Sequence, residues 1–520
     1  MRTRALARLV PLAAVAALAL AGCAAAQDAQ SSSGSSTDTA NTPLVVAYSN
    51  PLNTLDPIRS DYNQTNTIAD VAYDTLVTYD AQNTLVGSLA TEFSLAPDAT
   101  SVAITLRDGV TFHDGSPLTA DDVAYTLDRY KKVGVGIASY LNGYGSTTVT
   151  DPTHLTITLT APNGLFPGTL SKLYILEKAL VTANAGTDDG QTWLQSHDAG
   201  SGPYAITTGT GDVVAQRFAG YWDFDAKRPS QYTFRRIDES PTKRDELKAG
   251  NLDIALALQS PDAAALAGAD GVTVADLKVP NGAYMFMNTA NGPTANVAVR
   301  KALQLAYDYS GGLDQIRGGK GTVENGPLPQ TMPCLTSSPA FSQNLDLAKQ
   351  TLAQAGITDL HLTMRFQPAI TDQAREATLF QSDLRKIGVT LDLQPIAFAD
   401  YLSSLGNPDT IPQLMLLQDT AALPDPGVYL TKAYDSKSTG TNRAAYHNPQ
   451  VDALLDQAAT TSDTAARCTM YQQAQNLINA DAPSVSMYTL TAPVGYRTGL
   501  TGITASQTVY PLSLKGVRVA

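Results

Sequence analysis

Residues 89–115 read LATEFSLAPDATSVAITLRDGVTFHDG. Val102, Ile104 and Leu106 alternate with Ala103 and Thr105, the period of a strand with one buried face. Pro97-Asp98 supplies a turn before this strand and Asp108-Gly109 a turn after it. A second turn, Asp114-Gly115, follows Val110–Phe112. Thr119-Ala120-Asp121-Asp122 then opens a helix. The Thr119 hydroxyl can accept from the free amides of the first turn, and the two acids suit the positive end of the helix dipole. Val123, Leu127 and Tyr130 continue at helical spacing. Local physics makes this a hairpin and a helix in an α/β domain.

A chain of 520 residues has room for two or three domains with ample core. Its 35 Lys and Arg against 48 Asp and Glu give a net charge of −13, which argues against a nucleic-acid partner, since such a partner needs a basic patch. The N-terminus carries the compartment signal. Met1–Arg8 is basic, and Leu9–Ala19 is an apolar run shorter than the ~20 residues of a spanning helix. It ends in Leu20-Ala21-Gly22-Cys23, which resembles a bacterial lipobox. That resemblance implies cleavage after residue 22 and a lipid on Cys23; the alternative is an ordinary secretory signal with an incidental cysteine. Residues 23–42, rich in Ala, Gln, Ser and Thr, read as a flexible tether. Export to the outer face of the cell membrane is the expectation. Cys334 and Cys468 are then an even pair in an oxidising compartment, either bridged or two buried thiols.

The pattern Ala90…Asp98-x-x-Ser101-Val102-x-Ile104-x-Leu106-Arg107-Asp108-Gly109-Val110-x-Phe112-x-Asp114-Gly115-x-Pro117-Leu118-Thr119-Ala120-Asp121-Asp122-Val123 resembles the signature of the family 5 extracellular solute-binding proteins. These are the peptide, nickel and oligosaccharide receptors of bacterial ABC importers. Further patches resemble the same family: Leu55-Asp56-Pro57 after the strand Leu44–Tyr48, Gly200-Ser201-Gly202-Pro203-Tyr204, Tyr221-Trp222, Gly250-Asn251-Leu252-Asp253, and Asn448-Pro449-Gln450-Val451-Asp452-Ala453-Leu454-Leu455. The resemblance implies an α/β, two-lobed periplasmic-binding-protein-like fold of the type II or cluster C kind, with mixed sheets and an extra inserted domain. The ligand would lie in the interlobe cleft. Residues 43–73, 200–280 and 493–520 would form lobe I, 74–199 the inserted domain and 281–492 lobe III. Asp70–Tyr79 would be the helix and turn leading into the insert.

The C-terminal half is legible without the family. Leu345–Ala355 is an amphipathic helix with Asn344 as its cap and Gly356 closing it. Strand His361–Phe366, a helix capped by Thr371 and ended at Gly388, and a strand through Val389, Leu391 and Leu393 form a βαβ unit, which calls for parallel pairing.

Ligands in α/β lobes sit at the carboxyl ends of strands, between domains. Three places follow. The first is the loop after the first strand, with Tyr48, Asn50 and Asn53; turn chemistry is the plainer role for the asparagines. The second is the end of Tyr284–Ala290, where the resemblance implies that Asn288 meets the cleft while Phe286 and Met287 are core. The third is Gln413–Asp419. Peptide-binding family members often carry a Trp and an Asp there, the Asp pairing with a terminal ammonium. Gln418 and Asp419 are the candidates, but no Trp is present and Asp419 lies seven residues before Pro426. Gln367 occupies the cleft-facing end where short-peptide binders place an arginine, so a dipeptide clamped at both termini is not implied.

The five histidines lie on scattered elements, none in a ligand-spaced pair, so no metal site and no cofactor are expected. No nucleophile elbow, Walker loop or HExxH occurs, so no catalytic residue is assigned and the chain is read as a receptor, not an enzyme. The implied function is capture of a small solute, a peptide or peptide-like one, by a monomer that delivers it to ABC permease and ATPase subunits. The alternatives are another polar solute, such as an oligosaccharide or a metal–chelator complex, and a surface receptor that signals without transport.

Overall fold

Two long strands, of 16 and 14 residues, run through the middle of one 11-stranded sheet and belong to both of its halves. The computed structural model describes residues 41–208 and 211–520; the leader 1–22, Cys23 and the tether up to residue 40 lie outside the described residues. The sheet strands, numbered in chain order, are β1 (Pro43–Tyr48), β2 (Tyr204–Thr208), β3 (Val213–Arg217), β4 (Gln231–Arg236), β5 (Ile254–Ala255), β6 (Val272–Met287), β7 (Thr322–Val323), β8 (His361–Phe366), β9 (Thr390–Pro395), β10 (Leu414–Thr420) and β11 (Ser484–Arg497). Their order is β9-β8-β10-β6-β11-β5-β1-β4-β3-β2, with β7 paired to β11.

The first half is built on β1. Leu44, Val46 and Tyr48 enter one apolar cluster and Val45 and Ala47 another, so the strand is covered on both faces and reads as a continuous apolar run. It pairs in parallel with β4 and β5. The second half carries the expected βαβ unit: β8 and β9 pair in parallel from His361↔Thr390 to Phe366↔Pro395, linked by the helix Thr371–Lys386. In β6, Leu277 and Val279 pack in the first half's core while Ala283, Met285 and Met287 pack in the second's. In β11, Ala492 and Val494 divide from Val485, Met487 and Leu490 in the same way. Between the two regions the β6–β11 ladder breaks register, from Lys278 to Gly282. That irregularity is where a sheet bends most easily.

The stretch that opened the sequence reading forms a separate antiparallel sheet, in the order Ala90–Leu95, Ser101–Leu106, His154–Leu159, Tyr144–Asp151. Val102, Ile104 and Leu106 are buried as their alternation requires. The helix Ala120–Val133 starts at Thr119, where Asp122 accepts from both the Thr119 N–H and its hydroxyl at 2.9 Å, and ends at Gly134 with φ 69°. The chain enters and leaves this insert side by side. Gly202 N–H donates to the Ala72 carbonyl at 2.9 Å, and a Cβ on Gly202 would lie 2.6 Å from the Ala72 carbonyl carbon. The glycine is needed for that close approach.

Two local expectations are corrected. The helix placed at residues 70–79 is Asn63–Ala72; Tyr73 is already extended, and Val77–Tyr79, with a β-branched pair and an aromatic, is a strand paired to Leu85–Gly87. Thr371 is the first residue of its helix and Ile370 the cap; the Thr371 hydroxyl donates instead to Gln259 Oε1 at 3.3 Å. The turn expected at Asp114-Gly115 forms, with the Gly115 N–H donating to the Phe112 carbonyl at 3.0 Å and one bridge, Thr111 to Pro117, across its arms. Among the described residues no helix is long and apolar enough to cross a membrane.

Candidate functional site

The carboxyl ends of strands from the two halves point at each other across the register break. β1 runs toward the hinge: Val46 and Ala47 lie beside Ile254 and Ala255, which pair with Tyr496 and Gly495 of β11, so Tyr48 and Ser49 continue toward Pro493. From the other half, β10 runs in until Asp419 faces Gly282 and Thr420 faces Asn281. β8, parallel to β10, ends on the same side. This convergence on the hinge is the arrangement in which α/β lobes hold a ligand.

At the β1 end, Tyr48 is buried, and burial raises its hydroxyl pKa against the lowering effect of Arg236. Asn50 takes the left-handed conformation, φ 72°, and its N–H donates to Asp238 Oδ1 at 2.9 Å. Asparagine tolerates that conformation better than most residues, so the turn role is met at this position. Asn53 is exposed and lines, with Arg59, Tyr62 and Gln195, a groove of about 360 Å³ beside the insert. Below this loop lies Lys243, fully buried, with Nζ donating to Ser49 Oγ at 2.5 Å and to the Leu256 carbonyl at 2.8 Å. Burial pushes its pKa down to about 8, with Asp238 opposing.

Asn288 does not join these groups. It follows the far end of β6, six residues or about 20 Å beyond Gly282 along the strand. Its amide donates to the Pro408 and Ile411 carbonyls at 3.0 Å, and its oxygen accepts from the Ala290 and Asn291 N–H groups. All its hydrogen-bonding capacity goes into tying loops together, which is the physical reason it is set aside as a ligand contact. Gln367 sits at the correct end of β8 with its N–H donating to Gln373 Oε1 at 2.9 Å. Gln418 and Asp419 face opposite sides of the sheet, as neighbours on a strand must. Leu414 and Leu416 pack with Met285, whereas Met415 and Leu417 pack with Tyr284.

The Asp419 carboxylate is 7% exposed and already holds two cations of the chain. Lys432 Nζ lies 2.8 Å from Oδ1 and Arg443 Nε lies 3.4 Å from Oδ2. Burial alone would raise the Asp419 pKa; Lys432 and Arg443 outweigh it and hold the carboxyl below its ordinary value. Sequence reading found neither cation. Lys432 lies in the helix Pro426–Tyr434 and Arg443 in a loop 24 residues from Asp419, and no spacing rule links them.

Beside the hinge, Glu324 is fully buried, accepting from the Thr489 hydroxyl at 2.5 Å and the Gln330 amide at 3.0 Å. Cys334 and Cys468 form a disulfide with Cα atoms 5.0 Å apart, closing a loop with a sequence separation of 134. Among the described residues no three His, Cys, Asp or Glu side chains gather where they could hold a metal ion.

Comparison with known proteins accords with this geometry. Residues 84–441 match the family model described as bacterial extracellular solute-binding proteins, family 5 Middle. A relative in Escherichia coli described as a probable D,D-dipeptide-binding periplasmic protein, DdpA, is 28% identical over 457 residues, covering 86% of this chain and 88% of its own. The glutathione-binding protein GsiB of Pectobacterium atrosepticum is 25% identical, with 86% and 88% covered. Among solved structures, the substrate-binding protein CtaP of Listeria monocytogenes superposes with a TM-score of 0.84 at 22% identity, covering 92% of this chain and 99% of that one. The periplasmic binding protein DppA of Helicobacter pylori, in complex with the peptide STSA, gives 0.77 at 21% identity, with 92% and 98% covered. The fold is therefore the two-lobed periplasmic-binding-protein fold, and the chain belongs to the bacterial extracellular solute-binding proteins, family 5.

Proposed function

We propose that this protein is the lipid-anchored receptor of an ABC importer and that it captures a peptide or peptide-like solute by lobe closure. The observation that carries the reading is the convergence of the β1, β8 and β10 carboxyl ends on the hinge. The names of the relatives add the ligand class: a D,D-dipeptide, glutathione and, in a solved complex, the tetrapeptide STSA. The lobes are taken to divide at residues 281 and 492, within β6 and β11, with 74–199 as the insert. Closure then changes the twist of two strands where their ladder is already irregular. A solute works as a signal only by preferring the closed state, since equal affinity for both states shifts nothing. Cys23 and the tether would hold the protein, as a monomer, at the outer membrane face within reach of the permease.

A thermal-shift screen tests this. The purified chain is heated with pooled peptides, amino acids, oligosaccharides and nickel–histidine. A solute at 100 times its dissociation constant adds ~2.7 kcal/mol to stability, a plain rise in melting temperature. A rise with peptides alone is the expected result. A rise only with sugars or the nickel complex would overturn the ligand class and leave the receptor reading in place.

A further inference from the structure

The Asp419 cluster carries one positive charge too many. One carboxylate is matched by both Lys432 and Arg443, one on each oxygen. Among the described residues Arg443 makes a single polar contact, through Nε, although its side chain is only 7% exposed. Neither Nη atom has an acceptor among the described residues. The small exposed part of the guanidinium leaves its planar fork open to solvent, and a carboxylate fits that fork with two parallel hydrogen bonds. The Tyr401 hydroxyl is buried and also lacks a partner among the described residues. It lies near enough to feel both charges: beyond the dominant raising effect of burial, Arg443 lowers its pKa and Asp419 raises it. All of this sits where β10 reaches the hinge, at Asp419 opposite Gly282.

We propose that Lys432 and Arg443 are built-in counter-ions that occupy Asp419, so that this wall of the cleft selects a solute presenting a carboxylate and excludes one presenting a free ammonium. The inference rests on the peptide-receptor reading above and specifies its substrate class. An incoming ammonium would have to displace Lys432 at 2.8 Å and sit beside Arg443, replacing an existing ion pair at the cost of like-charge repulsion. An incoming carboxylate meets unfilled donors and completes the charge balance.

The test uses one peptide series in three forms, with a succinyl cap, an acetyl cap and a free amino terminus, titrated calorimetrically into the full chain. The expected order is succinyl tightest, by at least about tenfold over the free amine, with acetyl between them; tenfold corresponds to about 1.4 kcal/mol. Arg443→Gln should abolish the preference, and Asp419→Asn, which leaves both cations unopposed, should enlarge it. The wild-type ranking requires no variant to fold, so it decides the matter if a substitution is not tolerated. Tightest binding of the free amine, lost in Asp419→Asn, overturns this inference and leaves the peptide reading intact. Binding of none of the three, while another solute class stabilises the chain, overturns both.

Discussion

Glu324 offers the sharpest check on the hinge chemistry. Burial raises its carboxyl from 4.5 to about 8, opposed only by the hydrogen bonds from Thr489 and Gln330. The sign follows from proton counting. Between these two values the folded chain holds a proton that the unfolded chain has released, so the Glu324 contribution is fully present below about pH 4.5 and is lost as pH rises through about 8. At about 1.36 kcal/mol per pH unit the full span is worth about 5 kcal/mol, an upper bound because buried sites relax. Glu324→Gln keeps an oxygen for the Gln330 amide and turns an N–H toward the Thr489 hydroxyl, which reverses its own hydrogen at little cost. Urea unfolding of both proteins at about pH 5 and about pH 8.5 measures the difference. The wild type should lose ~3–4 kcal/mol more than the variant across that interval. Parallel losses would mean that Glu324 is ionised and solvated in the folded chain, and the reasoning would be refuted.

Four further outcomes are expected. Cys334→Ser with Cys468→Ser should lower stability by up to about 5 kcal/mol, the loop-closure value for a separation of 134, read as a shift in the urea midpoint. Arg129→Met should cost ~3–5 kcal/mol, because it leaves Asp56 buried without the guanidinium 2.6 Å away, and adding Asp56→Leu should recover part of that loss. Gly202→Ala should cost more than ~2 kcal/mol or block folding, since its Cβ would meet the Ala72 carbonyl carbon at 2.6 Å, whereas Gly406→Ala should cost less because the nearest atom to its Cβ is the Ser403 carbonyl oxygen at 4.0 Å. Lys243→Met should flatten the alkaline limb of the pH–stability curve. With its pKa lowered from 10.5 to about 8, wild-type stability rises with pH between those values while the unfolded chain keeps its proton, and a rise unchanged in the variant would count against the buried-lysine reading.

The parts of the fold that sequence made legible are those whose signals are local. The alternation of Val102, Ile104 and Leu106, the Asn344 and Asn448 caps, and the β8–helix–β9 unit each need only a few adjacent residues to state themselves. The start of the helix Asn63–Ala72 is not legible because its first buried residues, Thr65, Asn66 and Thr67, are polar, and the apolar Ile68, Ala69, Val71 and Ala72 come only near its end. Asn66 is held there by donating to the Thr508 carbonyl and accepting from the Tyr174 hydroxyl. No hydrophobic period records such partners. At the site, the resemblance to peptide-binding family members made Asp419 a candidate, but its partners depend on how a later helix and loop fold back over β10. The place of Asn288 away from Gly282 has a related reason: the end of a strand is evident in sequence, and which end meets the register break is not.

The paired entrances described above give the chain a nested grammar. It leaves the first lobe at Tyr73 and returns at Gly202, touching its own point of departure, then leaves again along β6 and returns antiparallel along β11, one strand spacing of ~4.8 Å away. Each excursion is a clause that opens and closes at the same place. Exchanging the whole of 281–492 between relatives would therefore demand that two adjacent strand ends be rejoined and that the bonds from Asn83 to the Thr331 carbonyl, Gly164 to the Ala459 carbonyl and Ser462 to the Pro97 carbonyl be kept. A receptor assembled this way can acquire a new solute preference by recombination of one segment, provided the few bonds that segment makes across to residues 83, 97 and 164 are matched.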